Sequence, residues 1–220
     1  MIETKAVSIR RQKRKKRRSR LRLGILIFLA LLLLLTAGFA RQLCPFDPNA
    51  QIFDPLLPPD PGHLCGTDRY GRDLFSRILI GLRTSVFSTL ALVAIITITG
   101  TALGVACGFL GGFADSLIMR ISDICLAFPG LVFALAIAAL LNGGLQNAVL
   151  SLAVISWPRY ARIARSQTLA VRQTDYIKAA LLAGDTGVQI IFRHILPNIL
   201  GPILVTATLD IGTMMMELAG

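Results

Sequence analysis

The sequence predicts an all-α, polytopic membrane protein. Of its 220 residues, 54% are hydrophobic and only 16% are charged, a composition more apolar than that of ordinary soluble domains. Three stretches contain no Asp, Glu, Lys or Arg: residues 23–40, 84–114 and 124–158. A helix needs about 20 apolar residues to cross about 30 Å of hydrocarbon. Hydrophobic runs of this length indicate bilayer-spanning helices and exclude an ordinary soluble domain.

The positive charge is concentrated at the N-terminus. The formal net charge is +11, and residues 1–22 hold eleven of the 23 Lys and Arg against a single acid, Glu3. A polybasic run of this kind can bind nucleic acid. This one directly precedes an apolar stretch, which favours a cytoplasmic anchor against anionic lipid. We predict that residues 1–22 form a basic cytoplasmic tail and expect no nucleic-acid partner.

Residues 23–43 are predicted to form the first transmembrane helix. A secretory signal also has a basic region followed by an apolar one, but its apolar core usually spans only about 7 to 15 residues. The stretch here is longer, and further hydrophobic stretches follow it. An uncleaved first helix is therefore preferred.

The next part of the chain, residues 44–83, is predicted to be an external loop with an interfacial helix. Residues 44–65 are rich in proline, which favours an irregular connection, and Cys44 and Cys65 flank it. A disulfide between them is chemically possible outside the cell, and the sequence leaves it open. Residues 66–83 mix Arg and Asp with an apolar face, which predicts an amphipathic helix leading into the membrane.

Residues 84–220 are predicted to form a membrane-embedded core of four more spans. They cover about residues 84–110, 115–141, 145–163 and 195–220, with glycine turns at 111–112 and 142–144. Pro129 is expected to kink the second of these spans or to mark its start. No closing polar segment follows the last span, so we expect the chain to stop within its fifth span and to lack a sixth.

A basic segment at about residues 166–197 lies between the last two spans, as expected for a cytoplasmic loop. Its pattern predicts a short helix containing Ala179 and Ala180, a break at Gly184, and a second apolar helix that ends before Pro197. From these residues alone, a simple connector is the plainer interpretation.

The order of residues in this segment resembles the EAA loop of ABC importer permeases of the dipeptide, oligopeptide and nickel family. Seven positions match the family pattern in register: Ala179, Ala180, Gly184, Ile190, His194, Leu196 and Pro197. Lys178 stands where the family usually has Glu, so an ionic contact of that residue with an ATPase is in doubt. The resemblance implies that these residues, with Tyr176, belong to coupling helices over residues 176–197 that sit in a groove of an ATPase. Ala179, Ala180 and Gly184 would give the close contact. Pro197 would fix the turn back into the membrane, and His194 would be structural.

A second stretch, from Gly66 to Ser85, resembles the external signature of the second permease subunit in this family. The two resemblances together extend over about residues 23–220. They imply the type I, MetI-like permease fold in a multi-pass protein of the cell membrane. The implied partners are another permease, two cytoplasmic ATPases and an external solute-binding protein. ATP would be used by those ATPases, and this sequence contains no GxxxxGK[ST] phosphate loop.

The last predicted span contains two acids, Asp210 and Glu217, which are seven residues apart and so share a helix face, with Met214 nearby. Intramembrane acids usually face an aqueous path or a partner, so all three are candidates for a translocation path. Thioether and carboxylate groups can contact a passing metal complex. The alternative is that the methionines pack against helices and the acids pair with a companion permease. The stretch 208–220 resembles the nickel branch more than the peptide branches.

We therefore predict a permease subunit of an ATP-driven importer of nickel, a metal chelate or di/oligopeptides, and leave the choice of solute open. The alternative is a non-transporting membrane anchor or assembly protein with a basic partner-binding tail. An intramembrane enzyme is disfavoured because the spans hold no Ser/His, paired-Asp or HExxH arrangement. His63 and His194, the only histidines, are too few for a catalytic or metal site, and we expect no bound cofactor.

Overall fold

The structure is a computed structural model that describes the backbone of residues 2–219 and the side chains of residues 20–219. The predicted all-α fold is confirmed, because the described residues contain helices and no strand. The helices are α1 (Ile2–Leu43), α2 (Leu74–Leu110), α3 (Gly112–Ala127), α4 (Gly130–Leu140), α5 (Leu145–Arg172), α6 (Asp175–Leu182), α7 (Gly187–Gln189), a π-helical segment (Ile190–Ile195) and α8 (Leu196–Ala219). The predicted lipid-binding role of the basic tail depends on side chains of residues 1–19, which lie outside the described set.

Among the described residues, three helical stretches are long and apolar enough to cross a bilayer: Arg20–Leu43, Leu74–Leu110 and Gly187–Ala219. The pair α3 and α4, which bends by 93°, makes a fourth when it is counted as one span. The sequence predicted five spans, and the one placed at residues 145–163 does not meet this standard. The reason is that α5 is polar along much of its length and buries its apolar residues among other helices.

The chain divides after Val86 into two compact units. In the first unit, α1 leaves large apolar side chains exposed, Leu26, Phe28 and Leu31 among them. In water such a surface is unfavourable, whereas in a bilayer it faces lipid at no cost. Its helical backbone also satisfies the hydrogen bonds that lipid does not offer. These properties agree with a transmembrane helix.

Residues 44–73, here called the proline-rich segment, are folded and not a loose loop. Gly66 and Gly71 have positive φ angles, and a Cβ at either would lie within 2.3 Å of a backbone oxygen, Leu57 O or Phe53 O. His63 Nδ1 lies 3.0 Å from the buried Asp73 Oδ1. All four cysteines of the described chain are free thiols, so Cys44 and Cys65 form no disulfide in this structure.

The predicted interfacial helix at residues 66–83 is wrong in its first half. Helix α2 begins only at Leu74, after a turn in which Thr67 and Asp73 form an isolated bridge. Asp73 Oδ2 accepts a hydrogen bond of 2.8 Å from the backbone N–H of Ser76, which is the usual way an aspartate caps the start of a helix. From there α2 continues without a break to Leu110.

In the second unit, α2 and α5 approach closely through a row of glycines. A Cβ on Gly100, Gly104 or Gly108 would lie within 2.8 Å of α5 atoms. The spacing of four residues puts all three on one face of α2. Small residues at such spacing let helix backbones pack closely in membranes. This contact was not among the features predicted from the sequence.

The remaining breaks follow local chemistry. The chain turns by 93° between α3 and α4 at Phe128 and Pro129, so the predicted kink at Pro129 is confirmed. Positive φ angles at Gly111, Gly112, Asn142, Gly143 and Gly144 form the two predicted turns.

Candidate coupling loop and intramembrane charge cluster

Helix α6 is a short, well-terminated helix. Its C-terminal end is a Schellman motif: Gly184 N–H donates to Leu181 O and Asp185 N–H donates to Ala180 O, each at 3.1 Å. Gly184 has a φ of +96°, a conformation that a residue with a Cβ rarely adopts. The break that the sequence predicted at Gly184 is therefore present.

A second helix begins at once after this break. Thr186 and Gln189 form a capping box, in which each side chain accepts a hydrogen bond from the other residue's backbone N–H. The helix continues through the π-helical segment, where Leu196 N–H donates to Ile191 O, five residues earlier. It passes into α8 without interruption.

The predicted end of this helix before Pro197 is wrong, and Pro197 does not mark a turn. Pro197 is the second residue of α8. Proline normally disrupts a helix because it lacks an N–H and its ring clashes with the carbonyl four residues earlier. The π-helical hydrogen bond of Leu196 shifts the pattern just before Pro197, and such π-bulges accommodate local irregularity inside α-helices.

The loop is anchored in the protein by buried isoleucines and also carries exposed apolar side chains. Ile177, Ile190 and Ile195 are fully buried. The loop also exposes apolar side chains, Tyr176, Leu181 and Leu182 in α6 and Val188 in α7, of which Leu182 is 90% exposed. Of the two predicted alanines, Ala179 is exposed and Ala180 is half-buried. We call the four exposed apolar residues Tyr176, Leu181, Leu182 and Val188 the α6 face.

Two polar contacts hold α6 to the start of the last helix. His194 Nε2 lies 3.0 Å from Asp185 Oδ2, and Asn198 donates a hydrogen bond of 2.9 Å to the Tyr176 hydroxyl. His194 therefore has a structural role in the loop. Lys178 pairs with Asp175 at 3.0 Å, and both side chains are largely exposed, so this pair adds little stability.

Arginines of α5 pair with acids of other helices. Arg165 donates hydrogen bonds to both oxygens of Asp115, at 2.5 and 2.6 Å, and Arg162 pairs with Asp123. Both acids belong to α3. These pairs connect α5 to α3, and the sequence did not predict them.

A cluster of charged and polar side chains joins α5 to α8. Arg159 Nη1 donates a hydrogen bond of 2.8 Å to Asp210 Oδ1, and the Tyr160 hydroxyl donates one of 2.9 Å to Asp210 Oδ2. Asp210 and Tyr160 are buried, as is Met214, while Glu217 is half-buried. We call Arg159, Tyr160, Asp210 and Glu217 the charge cluster.

The cluster was predicted only in part. The sequence placed Asp210, Met214 and Glu217 together, but the alternative considered for Asp210 was a partner in a companion permease. Its partners lie in its own chain. A signal was available, because acids within a membrane usually pair with other ionisable groups, and Arg159 directly ends the uncharged stretch 124–158.

Within residues 20–219, no group of three or more His, Cys, Asp or Glu side chains is placed to hold a metal ion. The three consecutive methionines of α8 are also divided between environments. Met214 is buried, while Met216 is 77% exposed. The described side chains thus form no resident metal centre.

Residues 100–220 match the family described as the binding-protein-dependent transport system inner membrane component. The chain belongs to this family. The match confirms the resemblance to ABC importer permeases and their MetI-like fold, and it supports a location in the membrane with several spans.

The chain is similar to curated permease proteins of peptide and nickel systems. It is 47% identical over 176 residues to the Probable D,D-dipeptide transport system permease protein DdpC of Escherichia coli (strain K12), covering 80% of this chain and 59% of that protein. It is 40% identical to the Glutathione transport system permease protein GsiD of Pectobacterium atrosepticum, over 80% of this chain and 59% of that protein. It is 36% identical to the Nickel transport system permease protein NikC of Escherichia coli (strain K12), over 80% and 64% respectively.

This chain therefore spans only about three-fifths of the length of the curated relatives it matches. The relatives are permease proteins of transport systems, which are non-catalytic membrane subunits. The prediction that the chain is not an enzyme is confirmed on that ground.

Proposed function

We propose that this chain is the force-receiving permease subunit of an ATP-binding-cassette importer in the cell membrane. In this proposal, one of two cytoplasmic ATPases binds the α6 face, a second permease completes the path, and an external solute-binding protein delivers a peptide, nickel or a metal chelate. The N-terminus lies in the cytoplasm. The observation that carries the proposal is the exposed apolar surface on a helix anchored to the membrane core.

An exposed apolar surface of this kind fits a protein partner. Exposure of Leu182 and Val188 to water is unfavourable. Burial of one such side chain against a partner contributes about 1.5 to 3 kcal/mol to the free energy of binding. Exposed contiguous apolar patches on otherwise polar surfaces usually mark interaction sites. The α6 face lies between two helices that enter the core, so a partner that binds it acts on both.

The connections of α6 are suited to the transmission of force. Only residues 173–174 separate α6 from α5, and residues 183–186 separate it from α7. Ile177 packs into the core, and the contact of His194 with Asp185 fixes the far end. A displacement of α6 by an ATPase should therefore also move α5 and α8, because the short connections between them leave little flexible chain to absorb it.

Lys178 replaces an acidic residue of the family pattern at the edge of this surface. Its ammonium group is already paired with Asp175 within the same helix. The local charge at this position is thus close to neutral. We propose that the apolar contact of the α6 face, and not an ion pair of residue 178, supplies most of the binding to the ATPase.

The test replaces Leu182 with Asp in the complete transporter. Leu182 does not belong to the buried core, so the variant should insert into the membrane normally. Co-purification of the ATPases and solute-stimulated ATP hydrolysis should both fall about tenfold or more. Ile52→Asp is the matched control, since Ile52 is 71% exposed in the proline-rich segment, and it should retain the ATPases.

Normal ATPase binding and uptake in Leu182→Asp would contradict the coupling role of the α6 face. A wild-type chain that binds neither ATPases nor a second permease would instead favour the alternative, a non-transporting membrane anchor.

A further inference from the structure

The guanidinium of Arg159 is fixed at one edge and open at the other. Its side chain is 56% exposed, although its partner Asp210 is only 3% exposed. Within residues 20–219, Asp210 is its one hydrogen-bond partner, through a single nitrogen. A guanidinium has five N–H donors, so most of its donors point away from the pair.

The position of this open edge is unusual. Arg159 is paired with Asp210, which lies inside Gly187–Ala219, a helical stretch long and apolar enough to cross a membrane. A charged side chain beside such a span is costly to place against lipid, and it usually faces a water-filled cavity or the interior of a bundle. The exposed edge of Arg159 therefore belongs on an aqueous path and not against lipid.

The pair is held as a preformed site. Asp210 accepts a hydrogen bond at each carboxylate oxygen, one from Arg159 and one from the fully buried Tyr160. Its two contacts orient the carboxylate, which in turn fixes the guanidinium. An arginine fixed in this way loses little side-chain entropy when it binds a second partner.

The open edge matches a carboxylate. The planar fork of arginine fits a carboxylate with two parallel hydrogen bonds. It repels a bare divalent cation. Glu217 follows Asp210 by two helical turns on the same face of α8, about 10 Å further along the axis, and it is half-buried. A cationic and an anionic group thus lie on the same side of the bundle.

We propose that Arg159 binds the carboxylate of the transported solute and Glu217 its ammonium group, so that the charge cluster selects a short zwitterionic peptide. This inference rests on the proposed transport function and names the solute of that path. It assigns to Asp210 a positioning role, because Asp210 acts through Arg159.

The experiment uses the complete importer with its solute-binding protein in proteoliposomes. Uptake of a free dipeptide is compared with uptake of its C-terminal amide and of its N-acetyl form, with analogues chosen from those the binding protein holds. In the wild type the free dipeptide should enter fastest. In Arg159→Gln its uptake should fall about tenfold, since a charge-assisted contact is lost, and the preference over the amide should disappear. In Glu217→Gln the preference over the N-acetyl form should disappear instead.

Arg159→Gln also leaves Asp210 buried without its cation, so misfolding must be separated from loss of binding. The double variant Arg159→Gln with Asp210→Asn removes both charges. It should restore insertion and ATPase co-purification without restoring the preference for the free carboxylate. Arg162→Gln is the matched control, because Arg162 pairs with Asp123 where both side chains are largely exposed, and it should keep the wild-type preference.

The proposal is overturned if the double variant regains the preference for the free dipeptide, or if Arg159→Gln lowers uptake of the free and amidated peptides equally. It is also overturned if the wild type transports nickel and rejects peptides, a result that would leave the coupling role of α6 intact. Loss of ATPase binding in Leu182→Asp tests the transport function by a separate measurement.

Discussion

Arg165 binds both carboxylate oxygens of Asp115 and joins α5 to α3. The contact is bidentate and partly sheltered, since the side chains are 33% and 14% exposed. The neighbouring pair, Arg162 and Asp123, connects the same helices at a more exposed position. The two pairs thus allow a comparison of one kind of contact in two environments.

We expect Arg165→Lys to lower the free energy of unfolding by roughly 1 to 3 kcal/mol, because lysine cannot form the two parallel hydrogen bonds. Arg162→Lys should change it by less than about 1 kcal/mol, as for most exposed pairs. Thermal unfolding of the purified complex measures both. Equal effects of the two substitutions would show that burial and bidentate geometry do not set the strength of these pairs.

The proline-rich segment should depend on pH through Asp73. Burial acts to raise the pKa of Asp73, but it is outweighed by hydrogen bonds from the Ser76 hydroxyl, from His63 and from the Ser76 backbone, so the pKa is lowered. A carboxyl with a lowered folded pKa contributes stability above its unfolded pKa of about 3.9. That stability is lost as the pH falls through the folded value.

Hydrogen exchange of the backbone amides of residues 63–76 provides the measurement. Protection should decrease below about pH 4 in the wild type. In Asp73→Asn the segment should be less protected at neutral pH, and the acid-dependent loss should be smaller. Asp54→Asn is the control, because Asp54 is exposed. An acid response that survives in Asp73→Asn would assign it to another group.

The glycine row of α2 gives a prediction about packing. A Cβ on Gly104 would lie 2.3 Å from the backbone oxygen of Ala161 and 2.7 Å from the Cβ of Ala164, whereas Gly212 in α8 has nothing within 4 Å. Gly104→Ala should therefore destabilise the protein by about 1 to 3 kcal/mol, the usual cost of overpacking. Gly212→Ala should be neutral or slightly stabilising, because alanine favours helices.

Cellular abundance and thermal unfolding of the two alanine variants measure this difference. If Gly104→Ala is as stable as Gly212→Ala, the close approach of α2 and α5 is not required for the fold.

The sequence predicted the features that depend on neighbouring residues. Pro129 bends the chain because proline restricts its own backbone and that of the residue before it. Gly184 ends α6 because its positive φ suits glycine. Neither effect requires knowledge of distant parts of the chain.

The features that depend on distant contacts were not predicted. Asp210 and Arg159 are 51 positions apart in the sequence, and no local pattern predicts that they pair. The mean hydropathy of α5 is too low for a predicted span, because other helices, and not lipid, surround much of this helix. Residues 66–73 have an amphipathic pattern, but tertiary contacts of Gly66 and Gly71 with Leu57 and Phe53 impose turns there.

The π-helical segment also sets the rotational phase of α8. Residues of an α-helix follow one another at about 100° around its axis, so a helix that gained or lost one residue at positions 190–195 would present a different side from there on. The wider π-helical turn before Leu196 sets the rotation of α8 about its axis, and with it the direction in which Asp210 faces Arg159. A single-residue deletion in this turn would leave the composition of the span almost unchanged and still turn the carboxylate away from its arginine.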